Sequence, residues 1–222
     1  MRYIRLIKNH ASCVVGRALG IVLLLMAALP AGALTPEEAF ADAPRRIFPL
    51  LDRNMRLDMV DYYRSSLSTP TPNALKGTSA VTQLTPSSIR VRLSGSSQSE
   101  LALLPAKGDT LLAVINTVST PAPDSKLSVY DRAWRTDLTS RVFTRPQLAD
   151  WLTAEGRKNA DEVATYVPFL LISYDYDPAT ATLTLTNNTG SFLSEDVYAI
   201  VQSYFKPSLT YRWNGSKFVS LR

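Results

Sequence analysis

The sequence predicts an α+β fold in which an antiparallel β-meander sheet packs with a few helices and the chain ends in a C-terminal β-hairpin. After residue 78, apolar residues often recur with a period of two, as is typical of half-buried strands. Short turn sequences join successive strands, which favours antiparallel neighbours. The predicted helices are segregated from the runs of strands, and this arrangement is typical of α+β folds.

Residues 1–33 are expected to be a secretory signal peptide. They contain four basic residues and no acidic ones, with an apolar run over 18–29 followed by Ala31-Gly32-Ala33. The apolar run is shorter than the ~20 residues that a membrane span requires, and no second long run follows. We therefore expect cleavage after Ala33, a periplasmic or extracellular protein, and no integral membrane segment in the mature chain.

The expected mature chain, residues 34–222, is long enough to bury a sizeable core as a single α+β domain. A subdivision near residue 140 is the alternative. Because no cysteine follows Cys13, disulfide bonds within this domain are excluded. Its stability is therefore expected to come from core packing.

Composition narrows the chemistry that the mature chain could perform. The whole sequence has 24 Lys and Arg and 19 Asp and Glu, and removal of the leader leaves 20 and 19, so a nucleic-acid partner is not expected. The only histidine, His10, and the only cysteine, Cys13, also lie in the leader. Catalysis by His or Cys, zinc sites built on these residues and iron–sulfur clusters are thereby excluded from the mature chain. We expect no metal and no cofactor.

Two helices are predicted before the first strand. Thr35 is a suitable N-cap and Pro36 a suitable first residue for a helix over 34–44. A second helix is predicted over 55–66, with Asn54 as its N-cap. The apolar face of this second helix is expected to contain residues at helical spacing, namely Leu57, Val60 and Tyr63 or Arg64.

The strands of the meander come next along the chain. In "SSIRVRLSG" the apolar residues Ile89, Val91 and Leu93 alternate with two arginines, which predicts a half-buried strand. "SELALLP" shows a similar alternation. After the turn Lys107-Gly108-Asp109, "TLLAVINTV" is apolar on both faces and is therefore expected to be a central strand covered on both sides. "KLSVYDRAW" is the next predicted strand.

The second half of the chain mixes helices and strands. Thr144 and Gln147 match a capping box, and the helix that they begin is expected to stop at Gly156. "VPFLLISYDYD" predicts a buried strand, and "ATLTLTN" predicts the strand after it. Ser194 is the expected N-cap of the last helix. Its apolar stripe is predicted to contain Val197, Ile200, Val201 and Tyr204.

The chain is predicted to end in a hairpin. "LTYRW" and "SKFVSL" flank Asn214-Gly215, a strong signal for a two-residue type I′ turn. An isolated hairpin is marginally stable, so its aromatic residues are expected to pack on the rest of the domain.

Several segments, taken in order, resemble a known family: "FPLLDRNMRLDMVDYYRSSL", "ALKGTSAVTQLTPSSIRVRL", "LALLPAKGDTLLAVINTV" and "PDSKLSVYDRAW". The family is domain of unknown function 3256, a group of uncharacterised secreted proteins from Gram-negative gut and oral anaerobes. The resemblance covers residues 48–134 well and the remainder more loosely, through "YRWNGSKFV". It implies export and a single compact domain. It implies no activity and no catalytic residues.

One candidate site lies at the end of a predicted strand, at Tyr174, Asp175, Tyr176 and Asp177. Two carboxylates two residues apart could contribute to a Ca²⁺ site or supply half of the carboxylate pair of a glycosidase. The structural alternative is a strand that runs into an Asp-Pro turn. Because a calcium site needs further acidic ligands and none are close in sequence, no metal is predicted here.

Aromatic residues supply a second candidate. Tyr211 and Trp213 lie on the terminal hairpin, where flat amphipathic rings could bind a sugar, a peptide or a partner protein. Trp151 and Tyr204 lie in helical stripes and are expected to pack in the core. Arg90 and Arg92 lie on the same face of a predicted strand and could contact an anionic ligand. The alternative is that they lie on a solvated face of the sheet.

The leading hypothesis is an exported cell-envelope protein that binds a protein or peptide and is not an enzyme. The alternative is a carbohydrate-binding factor, or a carbohydrate-processing factor that depends on carboxylates. An enzyme without His or Cys would need paired acids or a Ser with a Lys base. The residues proposed for binding are those of the two candidate sites, Tyr174, Asp175, Tyr176, Asp177, Tyr211 and Trp213.

Overall fold

Two antiparallel sheets and a set of short helices make up residues 33–221, the part of the chain that the computed structural model describes. The strands of the first sheet are β1 (Thr71–Pro72), β2 (Thr78–Leu84), β3 (Ser88–Arg92), β4 (Ser97–Ala106), β5 (Asp109–Val118) and β6 (Asp124–Tyr130). Each strand pairs with its neighbours in sequence, so the sheet is a six-stranded meander. The predicted α+β class with an antiparallel meander is confirmed.

The second sheet contains the terminal hairpin. Its strands are β7 (Ile172–Asp177), β8 (Thr182–Asn187), β9 (Ser208–Trp213) and β10 (Phe218–Leu221), and they lie in the order β10-β9-β8-β7. β9 pairs with both β8 and β10. The hairpin is therefore an integral part of a four-stranded sheet, as the sequence predicted.

The helices precede the first sheet or lie between and within the segments that form the second. They are α1 (Pro36–Asp42), α2 (Arg53–Arg64), α3 (Thr139–Val142), α4 (Leu148–Trp151), α5 (Ala154–Lys158), α6 (Ala160–Tyr166) and α7 (Glu195–Val201), with two short 3₁₀ turns at Thr189–Ser191 and Gln202–Tyr204. Among the helices described, none combines the length and the apolar character that a membrane crossing requires.

Both faces of the central strands are buried, because successive side chains of a strand point to opposite faces. Leu112 and Val114 of β5 pack with α1 and α2 in one apolar cluster. Ala113 and Ile115 pack in a second cluster that contains side chains of the second sheet. The expectation of a central strand covered on both sides is confirmed for β5. The described residues from Leu34 onward form one compact unit.

The first two helices begin with capped N-termini. The hydroxyl of Thr35 accepts a hydrogen bond from the Glu38 N–H, and the Glu38 carboxylate accepts one from the Thr35 N–H, so Thr35 is the N-cap that the sequence predicted. The second helix begins earlier than predicted, because the side chain of Asp52 caps it by accepting from Met55 N–H. Asn54 is therefore not the cap.

The buried face of α2 also differs from the prediction. Its buried residues are Arg56, Met59 and Val60, whereas Leu57 and Tyr63 are exposed. Met59 and Val60 pack in the cluster that contains Phe40 and Phe48. A helix this rich in long side chains has more than one candidate apolar stripe, and its packing partners decide which one is buried.

The helix predicted from Thr144 to Gly156 is two short helices. Gln147 N–H donates to the Asp150 carboxylate at the start of α4, and the chain turns away from the helix at Leu152. Thr153 then caps α5 by accepting from Gly156 N–H. Gly156 lies inside α5, where a Cβ atom would overlap with the carbonyl oxygen of Tyr204. This glycine is required for close packing and not as a helix stop.

The strand predicted as buried before the Asp-Pro turn is shorter and only half-buried. β7 begins at Ile172, and residues before it form α6 and a loop. Its outer edge is covered by side chains, because Ile172 N–H donates to Asp124 and Tyr174 N–H donates to Ser125. These contacts occupy N–H groups that would otherwise be an open strand edge.

The last helix and the terminal turn differ in detail from the prediction. Ser194 caps α7 as predicted, but Ile200 is exposed and only Val201 of the helix is buried. In the hairpin, Gly215 has a positive φ of 89° and Asn214 does not. The Asn214 side chain instead accepts from the N–H groups of Ser216 and Lys217. The type I′ turn is therefore wrong, although a tight turn forms at these residues.

Candidate functional site

The alternation of β7 separates the four residues of the first candidate site. Tyr174 and Tyr176 point into the core, where both are buried, while Asp175 and Asp177 are exposed on the opposite face. Burial raises the pKa of Tyr176 to about 12, with a smaller contribution from the charge of Asp177. The two tyrosines therefore remain neutral and offer no exposed aromatic surface.

The hairpin residues are also divided by burial. Trp213 is buried, and its indole Nε1–H donates to the carbonyl oxygen of Pro105 at 2.6 Å. Its ring packs on Phe218, with 5.2 Å between the ring centroids. Tyr211 is half-buried and packs against Phe143. Trp213 is thus a core residue that joins the two sheets, and Tyr211 alone of this pair reaches solvent.

Asp175 takes part in an ion-pair cluster that connects the two sheets. Nη2 of Arg90 lies 2.9 Å from Oδ1 of Asp175 and 2.8 Å from Oε2 of Glu100. Arg90 and Glu100 pair with each other across β3 and β4. Burial raises the pKa of the Glu100 carboxyl, although the hydrogen bond and charge of Arg90 act in the opposite direction. This cluster lines a cleft of about 550 Å³ that also contains Tyr176 and Asp177.

The carboxylate of Asp177 makes its hydrogen bonds within the turn that follows β7. It accepts hydrogen bonds from the Ala179 N–H and the Thr180 hydroxyl, and these contacts lower its pKa. Within residues 33–221, no group of three or more His, Cys, Asp and Glu side chains is placed to hold a metal ion. The carboxylates of Glu100 and Asp175 both contact the cationic side chain of Arg90. This ion-pair cluster links a strand of the first sheet to a strand of the second.

A different surface exposes aromatic rings that the sequence did not single out. Phe169, in the loop between α6 and β7, and Phe192, after the first 3₁₀ turn, are each about half exposed, and their ring centroids lie 5.4 Å apart. Tyr198 of α7 is exposed as well, and its ring packs on Gly190. We call Phe169, Phe192 and Tyr198 the aromatic surface.

The aromatic surface lies beside a cavity and within an acidic part of the chain. Tyr198 also lines a cavity of about 330 Å³, with Gly190, Leu193 and Phe205 among the other lining residues. From residue 159 to residue 205 the sequence contains six carboxylates and no Lys or Arg. Two of these carboxylates, Glu195 and Asp196, lie between Phe192 and Tyr198 in sequence and are exposed.

The sequence did contain a signal for this surface. Phe192 lies in a polar segment rich in Asn, Thr, Gly and Ser, where a large apolar ring has little chance of being buried by regular structure. Phe169 carries no such signal, because the pattern of "VPFLLISYDYD" predicts one buried strand that includes it. The absence of cations over 159–205 is visible in the sequence and does not depend on the fold.

Comparison with known proteins extends these observations. Among curated proteins there is no significant match. A solved structure of a domain of an uncharacterized protein from Porphyromonas gingivalis W83 is similar, with a TM-score of 0.72 and 19% sequence identity. The similarity covers 83% of this chain and 96% of that one, and at this identity it shows a shared fold only. A family model described as "Protein of unknown function (DUF3256)" matches residues 28–218, and this chain belongs to that family.

Proposed function

We propose that this protein is an exported, non-enzymatic binding protein whose aromatic surface binds a protein or peptide segment that combines apolar and basic residues. The observation that supports this proposal most directly is the stacked pair Phe169 and Phe192, whose side chains are 49% and 47% exposed. Each ring covers part of the other, and a large part of both still contacts water.

An exposed aromatic pair favours protein binding for an energetic reason. Burial of apolar surface contributes about 25 cal/mol per Å² to the free energy of folding or binding. The outer surfaces of Phe169 and Phe192 are exposed, so a partner that covers them would gain this free energy. Aromatic residues are enriched in the buried centres of protein–protein interfaces, where a few of them carry much of the binding energy. The neighbouring cavity lined by Tyr198 and Leu193 could accept one apolar side chain of the partner.

The acidic surroundings indicate which partners would be favoured. Glu195 and Asp196 are exposed beside Phe192 in sequence, and among the described residues neither forms an ion pair. The sequence from 159 to 205 contains no Lys or Arg, and Lys206, which lines the cavity beside Tyr198, donates its ammonium group to the backbone of Asp150. Charge complementarity increases association rates and discriminates against partners of like charge. A partner segment with Lys or Arg beside its apolar residues would be attracted, and one with acidic residues would be repelled.

Selection from a random peptide library tests the proposal, with protein purified from cells that express the full chain. Selected peptides are expected to contain aromatic or aliphatic residues beside Lys or Arg. Their affinity should fall about tenfold or more in Phe192→Ser and should weaken with added salt. Leu75→Ser is the matched control, because Leu75 is a strongly exposed apolar residue of another loop. Equal binding by Phe192→Ser and the wild type would contradict the proposal.

A further inference from the structure

Three positively charged side chains line another cavity, which has a volume of about 340 Å³. Arg145, Arg157 and Lys206 line it together with Tyr211, one of the residues that the sequence proposed for binding. The other polar residues of its lining are Thr144, Gln147, Asp150 and Ser220. We call this the basic cavity. It shares no residue with the aromatic surface, although Lys206 also lines the cavity beside Tyr198. Arg145 and Arg157 do not line that cavity, so variants at these two positions test the basic cavity separately from the proposed function.

Among the described residues, the three cations of the basic cavity form no ion pair with a carboxylate. Within residues 33–221, the ion pairs of the structure involve other residues, and neither Arg145 nor Arg157 takes part in one. The ammonium group of Lys206 donates to the backbone carbonyl oxygen of Asp150 at 2.7 Å. Asp150 supplies the one carboxylate of the lining, and that carboxylate accepts the N–H of Gln147.

The backbone around the basic cavity is held in place by the fold. Lys206 N–H donates to the carbonyl oxygen of Trp151, and Thr153 N–H donates to that of Tyr204. Because Trp151 is buried in the core, these bonds fix the chain that carries Lys206 against α4 and α5. The ring of Tyr211 is held by an edge contact with Phe143, at 5.5 Å between centroids. The backbone that carries Lys206 and the ring of Tyr211 are therefore fixed by the fold, while Arg145 and Arg157 are exposed side chains of the same lining.

We propose that the basic cavity binds a tetrahedral oxyanion, a phosphate or sulfate group, carried by a small polar molecule such as a sugar. Arginine side chains suit this role, because their planar groups of N–H donors match the geometry of such oxyanions. The hydroxyl groups of Tyr211, Thr144 and Ser220 could donate further hydrogen bonds to the oxyanion or its carrier. The lining is polar enough, with hydroxyl and amide groups, to suit a sugar better than an apolar carrier.

Calorimetric titration tests this proposal with three probes: inorganic phosphate, inorganic sulfate and glucose 6-phosphate. The variants are Arg145→Gln and Arg157→Gln, and Arg132→Gln is the matched control, because Arg132 is an exposed arginine that does not line the cavity. Binding of at least one probe is expected, with about tenfold or greater weakening in each cavity variant and none in the control. Unchanged melting temperatures without ligand would show that the variants are folded.

The probes distinguish the sources of the oxyanion. Tighter binding of glucose 6-phosphate than of inorganic phosphate would support an oxyanion carried on a sugar, and equal binding would support recognition of the free ion. The proposal would be overturned if no probe bound at concentrations up to about 10 mM. It would also be overturned if Arg132→Gln weakened binding as much as the cavity variants, since this would indicate a general effect of net charge.

Discussion

Arg90 of β3 and Asp175 of β7 form an ion pair that connects the two sheets, with Nη2 of Arg90 2.9 Å from Oδ1 of Asp175. The same nitrogen contacts Glu100, whose side chain is only 8% exposed, whereas that of Asp175 is 70% exposed. Arg90 therefore pairs with one buried carboxylate, that of Glu100, and with one solvated carboxylate, that of Asp175. The two contacts are expected to differ in their importance for stability.

Replacement of Arg90 should be more costly than replacement of Asp175. Arg90→Met leaves the buried Glu100 carboxylate without its charged donor, and we expect a loss of about 1–3 kcal/mol in the free energy of unfolding. Asp175→Asn removes an exposed partner and is expected to cost less than about 1 kcal/mol. Urea unfolding of both variants measures the difference. A larger loss in Asp175→Asn would show that the inter-sheet contact, and not the buried carboxylate, is the important one.

The buried carboxylate also predicts a pH dependence of stability. Because the pKa of Glu100 is raised above its ordinary value of 4.5, the folded chain binds this proton more tightly than the unfolded chain does. The stabilising contribution of Glu100 is thus complete below about pH 4.5 and is lost as the pH rises through the folded-state pKa. Glu100→Gln lacks this titration.

The stability of the wild type relative to Glu100→Gln should therefore decrease as the pH rises above about 4.5. Chemical unfolding of both proteins at several pH values below and above about 4.5 checks this expectation. Carboxylates whose pKa is lowered in the fold, such as Glu37, Asp131 and Asp137, are present in both proteins and cancel in the comparison. If the difference in stability between the two proteins were independent of pH, or increased with pH, a raised pKa of Glu100 would be contradicted.

Gly156 is expected to tolerate no side chain. A Cβ atom there would overlap with the backbone of Tyr204, so Gly156→Ala must displace the chain that leads to β9. We expect a loss of about 1–3 kcal/mol, in the range of overpacking substitutions. Gly95→Ala is the matched control, because a Cβ atom at Gly95 meets no atom within 4 Å. Thermal unfolding compares the two, and similar melting temperatures would show that the Tyr204 contact can relax.

Trp213 is expected to be essential for joining the terminal hairpin to the rest of the fold. Trp213→Ala removes a buried ring and its hydrogen bond to Pro105, and should cost about 3–5 kcal/mol. Val219→Ala, at a more exposed position of β10, should change stability little. Deletion of residues 207–222 removes two strands of the second sheet and is expected to give unfolded or insoluble protein. A folded, stable truncation would show that the hairpin is dispensable.

The signal peptide predicted over residues 1–33 implies a defined mature N-terminus. If residues 1–33 are removed during export, N-terminal sequencing of the protein from the native envelope should begin at Leu34. The leader lies mostly outside the described residues, so this remains a prediction from sequence. Recovery of the full-length chain in the cytoplasm would contradict both the cleavage and the exported location.

The sequence by itself determined the fold class, most of the strands and several helix caps. Ile89 and Val91 are buried and Leu183 and Leu185 are completely inaccessible, as period-two patterns required. Thr35 and Ser194 cap their helices as predicted. These features follow from local rules, because strand alternation and capping depend on residues a few positions apart.

Only the tertiary structure decided which surfaces remain open and which side chains meet. The sequence proposed Tyr174, Tyr176 and Trp213 for binding, and the packing of the second sheet buries all three. Conversely, Phe169 and Phe192 lie 23 residues apart in sequence, and their contact depends on how the loops around the second sheet meet. The convergence of Arg145, Arg157 and Lys206 on one cavity is likewise non-local. Local patterns specify the elements, but burial and long-range contacts arise only when those elements pack together.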